Sequence, residues 1–123
     1  MARILIVEDD NFLRGLLTKK LEEKGFSVVQ AESGEKGVEE LKEDLPDLVL
    51  LDLLLPGIDG FEVLKWARGQ GGALADLPVI ILSNLGRQED IEKGTKLGAT
   101  DYLVKSKSTP PEIIEKVNEA IGA

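Results

Sequence analysis

The chain has 123 residues, 42% of them hydrophobic and 31% charged, and a formal net charge of −8. That length suits one domain that buries a core without staples, and the composition is that of a globular chain, not a disordered one. The acidic balance excludes a basic nucleic-acid footprint, the absence of cysteine excludes disulfides and thiolate chemistry, and the absence of histidine removes the usual general base and transition-metal ligand. Any metal is therefore expected to be a hard cation held by oxygen. The N-terminus runs directly into a strand-like segment with no signal-peptide pattern, and no apolar stretch is long enough to span a bilayer. A cytoplasmic location away from membranes is expected.

Apolar and amphipathic segments alternate along the chain. Ile4-Leu5-Ile6-Val7 is a short strand ending at Glu8-Asp9-Asp10, and Asp10 suits a helix N-cap. A helix follows with Leu13, Leu16, Leu17 and Leu21 on one face, stopped by Gly25. Phe26 to Ala31 reads as a weaker strand, and Ser33 caps a second helix with Val38 and Leu41 facing inward. Pro46 ends that helix, and Asp47 to Asp52 is the third strand. After the Pro56-Gly57 turn, Phe61, Val63, Leu64 and Ala67 begin a third helix, and Gly69 to Gly72 reads as a loose connection. Leu77 to Leu82 is the fourth strand, and Arg87 to Leu97 is a fourth helix. That helix reads as marginal and suited to a moving part because Gly94 in its interior costs about 1 kcal/mol relative to alanine, but the glycine serves equally to let the helix pack closely. Thr100 to Val104 is the fifth strand, and Thr109-Pro110-Pro111 starts a fifth helix with Ile113, Ile114, Val117 and Ile121 as its apolar face. Strands alternating with helices predict an α/β fold, a doubly wound parallel sheet covered on both faces. The third and fourth strands are nearly continuous in apolar residues, as strands buried on both sides should be.

Asp52 interrupts the run Leu48-Val49-Leu50-Leu51-Asp52-Leu53-Leu54-Leu55. An ionised group held there must be paired or bound to metal. In a doubly wound sheet, ligands bind outside the carboxyl ends of the strands. Glu8 and Asp9 follow the first strand, Asp52 ends the third, Ser83 follows the fourth and Lys105 follows the fifth. Each alone is a weak signal, but together they put three acids, a hydroxyl and a cation at one edge. Carboxylates so close repel one another, and Mg²⁺ relieves such a site while keeping several of its waters. Asp52 then suits a nucleophile that forms an aspartyl-phosphate, with Lys105 and Ser83 contacting other phosphoryl oxygens. Gly69-Gln70-Gly71-Gly72 runs from helix to strand, so it is not a phosphate cradle, and there is no Walker-type or Rossmann-type motif.

The stretches Ile4–Asp10, Asp47–Asp52, Pro56-Gly57-Ile58-Asp59-Gly60, Val79–Ser83 and Gly98–Lys105 resemble, in order and spacing, the receiver domain of two-component response regulators, over the whole chain. The resemblance implies a single receiver domain spanning 1–123. Its fold would be a flavodoxin-like three-layer sandwich of five parallel strands, order 2-1-3-4-5, with five helices. It implies a phosphorylation-activated signalling switch, not an enzyme beyond its own phosphorylation and slow dephosphorylation. Asp52 would accept the phosphoryl group from a sensor histidine kinase or a phosphotransfer protein. Glu8, Asp9, Asp52 and the backbone carbonyl of Leu54 would serve the Mg²⁺, Glu8 through a bound water. Tyr102 would be the switch residue, turning inward when Ser83 moves. A downstream effector protein would read the surface of the fourth helix, fifth strand and fifth helix, and self-association through that face is left open. No direct nucleic-acid binding is expected.

Lys105-Ser106 departs from the Lys-Pro the family often has. A cis bond before a non-proline residue costs about 2.5–4 kcal/mol, against roughly 0.5–1 before proline, so a trans peptide and a different loop path are expected. Asn84 stands where the family usually has alanine or glycine, and is expected to crowd or hydrogen-bond the pocket. Leu54 and Leu85 flank the path of an attacking water, and apolar groups there predict slow self-dephosphorylation. Among rival readings, an aspartate-nucleophile phosphatase wants a second acid where Leu54 stands. A flavodoxin-like cofactor binder has only fold to recommend it. The remaining alternative is a degenerate receiver acting as a phosphorylation-independent docking module.

Overall fold

The central strands each feed two cores. In the computed structural model, which describes residues 2–122, the strands are β1 (Arg3–Val7), β2 (Ser27–Ala31), β3 (Leu48–Leu51), β4 (Val79–Ser83) and β5 (Asp101–Val104). They form one parallel sheet in the order β2-β1-β3-β4-β5. Side chains alternate across a strand. Ile4, Ile6, Leu48, Leu50, Ile80 and Leu82 therefore enter one core, and Leu5, Val7, Val49, Leu51, Val79 and Ile81 the other. Every residue of β3 and β4 is buried, as their unbroken apolar character predicts. This confirms the flavodoxin-like order.

The helices are α1 (Asn11–Glu23), α2 (Gly34–Glu43), α3 (Gly60–Gly69), α4 (Gly72–Asp76), α5 (Gln88–Lys96) and α6 (Pro110–Ile121). Leu17 and Leu21 of α1, with Ile113, Ile114 and Val117 of α6, cover the first core. Leu41 of α2, with Phe61, Val63, Leu64 and Ala67 of α3, covers the second. The caps are local. Asp10 accepts the N–H groups of Phe12 and Leu13, Ser33 that of Lys36, and Asp59 that of Glu62. Thr109 and Glu112 form a reciprocal capping box at the start of α6.

The structure corrects the sequence in two places and decides between two readings in a third. The connection after α3 is not loose: Gly69 ends α3, and Gly72 opens the one-turn helix α4. The described residues thus hold six α-helices instead of five, and the expected fourth helix is α5. Of the two readings of Gly94, close packing is supported, because a Cβ there would stand 2.8 Å from Ile81 Cδ1 and 3.1 Å from the Tyr102 ring. Strand limits also shift by a residue or two, so that Ser83 is the last residue of β4.

Candidate functional site

Strand pairing continues one residue past β1 and β3 and brings the first acids together. The Glu8 N–H donates to the Ala31 carbonyl at 2.9 Å, and the Asp52 N–H donates to the Val7 carbonyl at 2.9 Å. Glu8 and Asp52 thus stand side by side at the carboxyl edge of the sheet, 2% and 4% exposed. Asp9 is exposed at the rim. Lys105 follows β5 in a single 3₁₀ turn, Lys105–Lys107. Its Nζ lies 2.6 Å from Glu8 Oε1 and 2.9 Å from Asp52 Oδ2. The other Asp52 oxygen, Oδ1, accepts the N–H groups of Leu53 at 2.7 Å and Leu54 at 3.3 Å. Glu8 Oε2 accepts the Asp10 N–H at 3.0 Å.

One cation thus serves two buried carboxylates. Burial pushes Glu8 up from 4.5 to about 7, further aided by the charge of Asp52, although Lys105 and the Asp10 N–H pull the other way. Burial also works against the Lys105 charge, but its bonds to Glu8 and Asp52 outweigh that and raise its pKa. Lys105 therefore keeps its proton, and the strain of crowding falls on Glu8. Glu8, Asp9 and Asp52 each offer a carboxylate oxygen, all within 4.8 Å of one another. An all-oxygen donor set of this spacing, with one member open to solvent, suits a hard divalent cation.

Ser83 is completely buried, and its Oγ accepts the Leu85 N–H at 3.3 Å. The Tyr102 hydroxyl donates to the Leu85 carbonyl. Burial, with the charges of Asp90 and Asp52, pushes that phenol up, so it remains a donor at neutral pH. Leu54 is 54% exposed at the pocket mouth, while Leu85 is half-buried. Asn84 is exposed, and no cis peptide occurs among the described residues, so Lys105-Ser106 is trans.

Sequence reasoning missed two supports. Arg14 donates from Nη1 to the Glu8 carbonyl at 2.7 Å, from Nε to Gln30 Oε1 at 3.0 Å and from Nη2 to Asn11 Oδ1 at 2.7 Å, fixing the turn that carries the acids. Gly60 packs so closely on the Asp52 carbonyl that a Cβ would overlap it. The glycine of Pro56–Gly60 hinted at the second; a lone arginine on a helix gave no signal of the first.

The Glu8 shift has a stability consequence. Its folded pKa lies above the unfolded value, so the fold binds the extra proton, and that contribution is present below about 4.5 and lost as pH rises through about 7. In divalent-free buffer the melting temperature should fall between pH 5 and 8 more steeply in wild type than in Glu8→Gln. Parallel curves for the two proteins would contradict the assignment.

Residues 4–118 match the family described as the response regulator receiver domain. The phosphate regulon transcriptional regulatory protein PhoB of Escherichia coli is 38% identical over 115 residues, which make up 94% of this chain and 49% of that protein. The chain thus spans about half the length of that curated relative. Among solved structures, the receiver domain of the Francisella response regulator 1452 superposes with a TM-score of 0.91 at 30% identity, covering 99% of this chain and 98% of that one. The CheY-like response regulator receiver domain protein of Methanospirillum hungatei gives 0.91 at 26%, covering 99% and 94%. The matched stretch contains the sheet, except for the first residue of β1, and the Glu8, Asp9 and Asp52 cluster, and the chain belongs to the response regulator receiver domain family, the signalling modules of two-component systems.

Proposed function

We propose that this chain, across 1–123, is a phosphorylation-driven switch in which Asp52 takes a phosphoryl group from a histidine of a sensor kinase or phosphotransfer protein. The observation that carries the reading is the meeting of Asp52 with Glu8, Asp9 and Lys105 at one sheet edge. The chain has no histidine among its 123 residues, so a phosphohistidine donor lies outside them. A carboxylate oxygen of Asp52 attacks phosphorus, the phosphorus–nitrogen bond of the donor breaks, and the imidazole nitrogen keeps the electron pair. Glu8, Asp9, Asp52 and the Leu54 carbonyl are the groups to hold Mg²⁺, Glu8 through water. The cation supplies charge neutralisation for the phosphoryl oxygens. Lys105 shifts from the Asp52 carboxylate to a phosphoryl oxygen, which keeps its charge paired throughout. The amides of Leu53 and Leu54 hold the acceptor carboxylate in place while it reacts.

Two hydrogen bonds in series support a route outward. Ser83 Oγ is tied to the Leu85 N–H, and the Leu85 carbonyl to the Tyr102 hydroxyl. A Ser83 hydroxyl drawn to a phosphoryl oxygen takes Leu85 with it, and Tyr102, seated against Gly94 of α5, follows. The affected surface is that of α5, β5 and α6, where a downstream effector protein would bind. This is a local charge event biasing a two-state element.

Intact mass after incubation with acetyl phosphate should show one Mg²⁺-dependent phosphoryl adduct in wild type and none in Asp52→Ala. Absence of any adduct in wild type would favour a docking module that keeps the pocket without using it. The same assay reads the lifetime of the adduct. Leu54 and Leu85 exclude water from the acyl phosphate, so replacing both with polar residues should speed its loss about tenfold, the effect of roughly 1.4 kcal/mol on the barrier. An unchanged lifetime would remove water exclusion as the cause. Tyr102→Ala should leave the adduct intact while the phosphorylation-induced amide shifts in α5 and α6 shrink. Shifts of wild-type size would rule out the aromatic relay.

A further inference from the structure

The loop from β3 to α3 is held at both ends of its course. Near Asp52, the Leu53 and Leu54 amides bind the acceptor carboxylate, and the Gly60 N–H closes the base on the Leu53 carbonyl at 3.0 Å. Farther out, the first turn of α2 lies against residues 57 and 58. Glu35 Oε2 accepts the Ile58 N–H at 3.2 Å. The Glu35 carboxylate also covers Gly57 so closely that a Cβ there would overlap it, and a Cβ on Gly34 would overlap the Ile58 carbonyl. Between Leu54 and Ile58 lie Leu55, Pro56 and Gly57. Pro56 has a fixed φ. Gly57 sits at φ +74°, a left-handed conformation that glycine leaves as easily as it enters. The one residue of this stretch with a left-handed φ thus lies under the Glu35 carboxylate.

We infer that Glu35 is a positioning residue for the cation site: by latching Gly57 and Ile58 it fixes the direction of the Leu54 carbonyl. The inference rests on the proposed role of that carbonyl as a Mg²⁺ ligand. Glu35 lies outside the Glu8, Asp9 and Asp52 cluster. Supports behind metal ligands commonly change metal affinity about 10–100-fold; Glu35 is exposed, so about 3–10-fold is expected. Glu35 also stands in the first turn of α2, where a negative charge favours the helix whether or not the loop is latched. Glu35→Gln loses that charge but keeps an oxygen acceptor for Ile58, while Glu35→Ala loses both.

Calorimetric titration with Mg²⁺ on the wild type, Glu35→Gln and Glu35→Ala separates these roles. Amide hydrogen exchange at Leu54 and Ile58 in metal-free buffer accompanies it. Glu35→Ala should weaken Mg²⁺ binding about 3–10-fold and speed exchange at both amides, whereas Glu35→Gln should follow the wild type. At saturating Mg²⁺ the phosphorylation rate of Glu35→Ala should return to the wild-type value. Equal affinity in all three proteins would overturn the latch and leave the phosphorylation reading standing. So would a Glu35→Gln as weak as Glu35→Ala, or faster exchange at Ile58 alone. A wild type that binds no Mg²⁺ would overturn the metal reading and the latch together.

Discussion

An ammonium group 2.6 Å from Glu8 and 2.9 Å from Asp52 ties the ends of β1, β3 and β5 into one cluster. The two carboxylates stand in almost complete burial, where an uncompensated charge costs several kcal/mol. Lys105 is what lets both remain there. It reaches them only because Glu8 and Asp52 extend the pairing of their strands by one residue. A slip of one residue would turn either side chain into the opposite layer. The register of the sheet and the electrostatics of the pocket are therefore one constraint. The compensation is also incomplete, because one cation faces three acids. That surplus of negative charge at an opening beside Asp9 is the physical reason the pocket suits a second cation.

Much of this was legible because the fold and the site share a rule. Apolar runs mark the strands, and whatever polar residue ends a run lands at a sheet edge. Asp52 and Lys105, 53 positions apart, could be placed together on that ground alone. The caps Asp10, Ser33 and Thr109 were legible because capping is a local matter of a few residues. The helix Gly72–Asp76 was not, since five residues make barely one turn and carry no periodicity. Gly94 stayed open between a weak point and a packing contact because helix propensity is counted without partners. The partners, Ile81 and Tyr102, come from other strands and turn its missing Cβ into a fit. Arg14 and Glu35 were invisible for the same reason, their partners being fixed by packing across the edge of the sheet.

The two loops that flank Asp52 are built differently. On the β3 side, Gly60 packs on the Asp52 carbonyl, the loop closes on Leu53, and Glu35 presses on Gly57. On the β4 side, Ser83 and Tyr102 are linked by hydrogen bonds through Leu85, and Asn84, between Ser83 and Leu85, is exposed. A new charge at Asp52 must be accommodated by whichever side yields. The braced loop has backbone against backbone and little room to move, and interiors packed this densely shift between discrete arrangements instead of deforming smoothly. For the proposed switch the β4 side would need the exchange of two hydrogen bonds and a displacement of the Tyr102 ring past Gly94. Rigidity beneath the acceptor and compliance beside it are thus complementary. In the proposed switch the first would hold the geometry for phosphoryl transfer, and the second would direct its consequences toward α5 instead of letting them dissipate within the pocket.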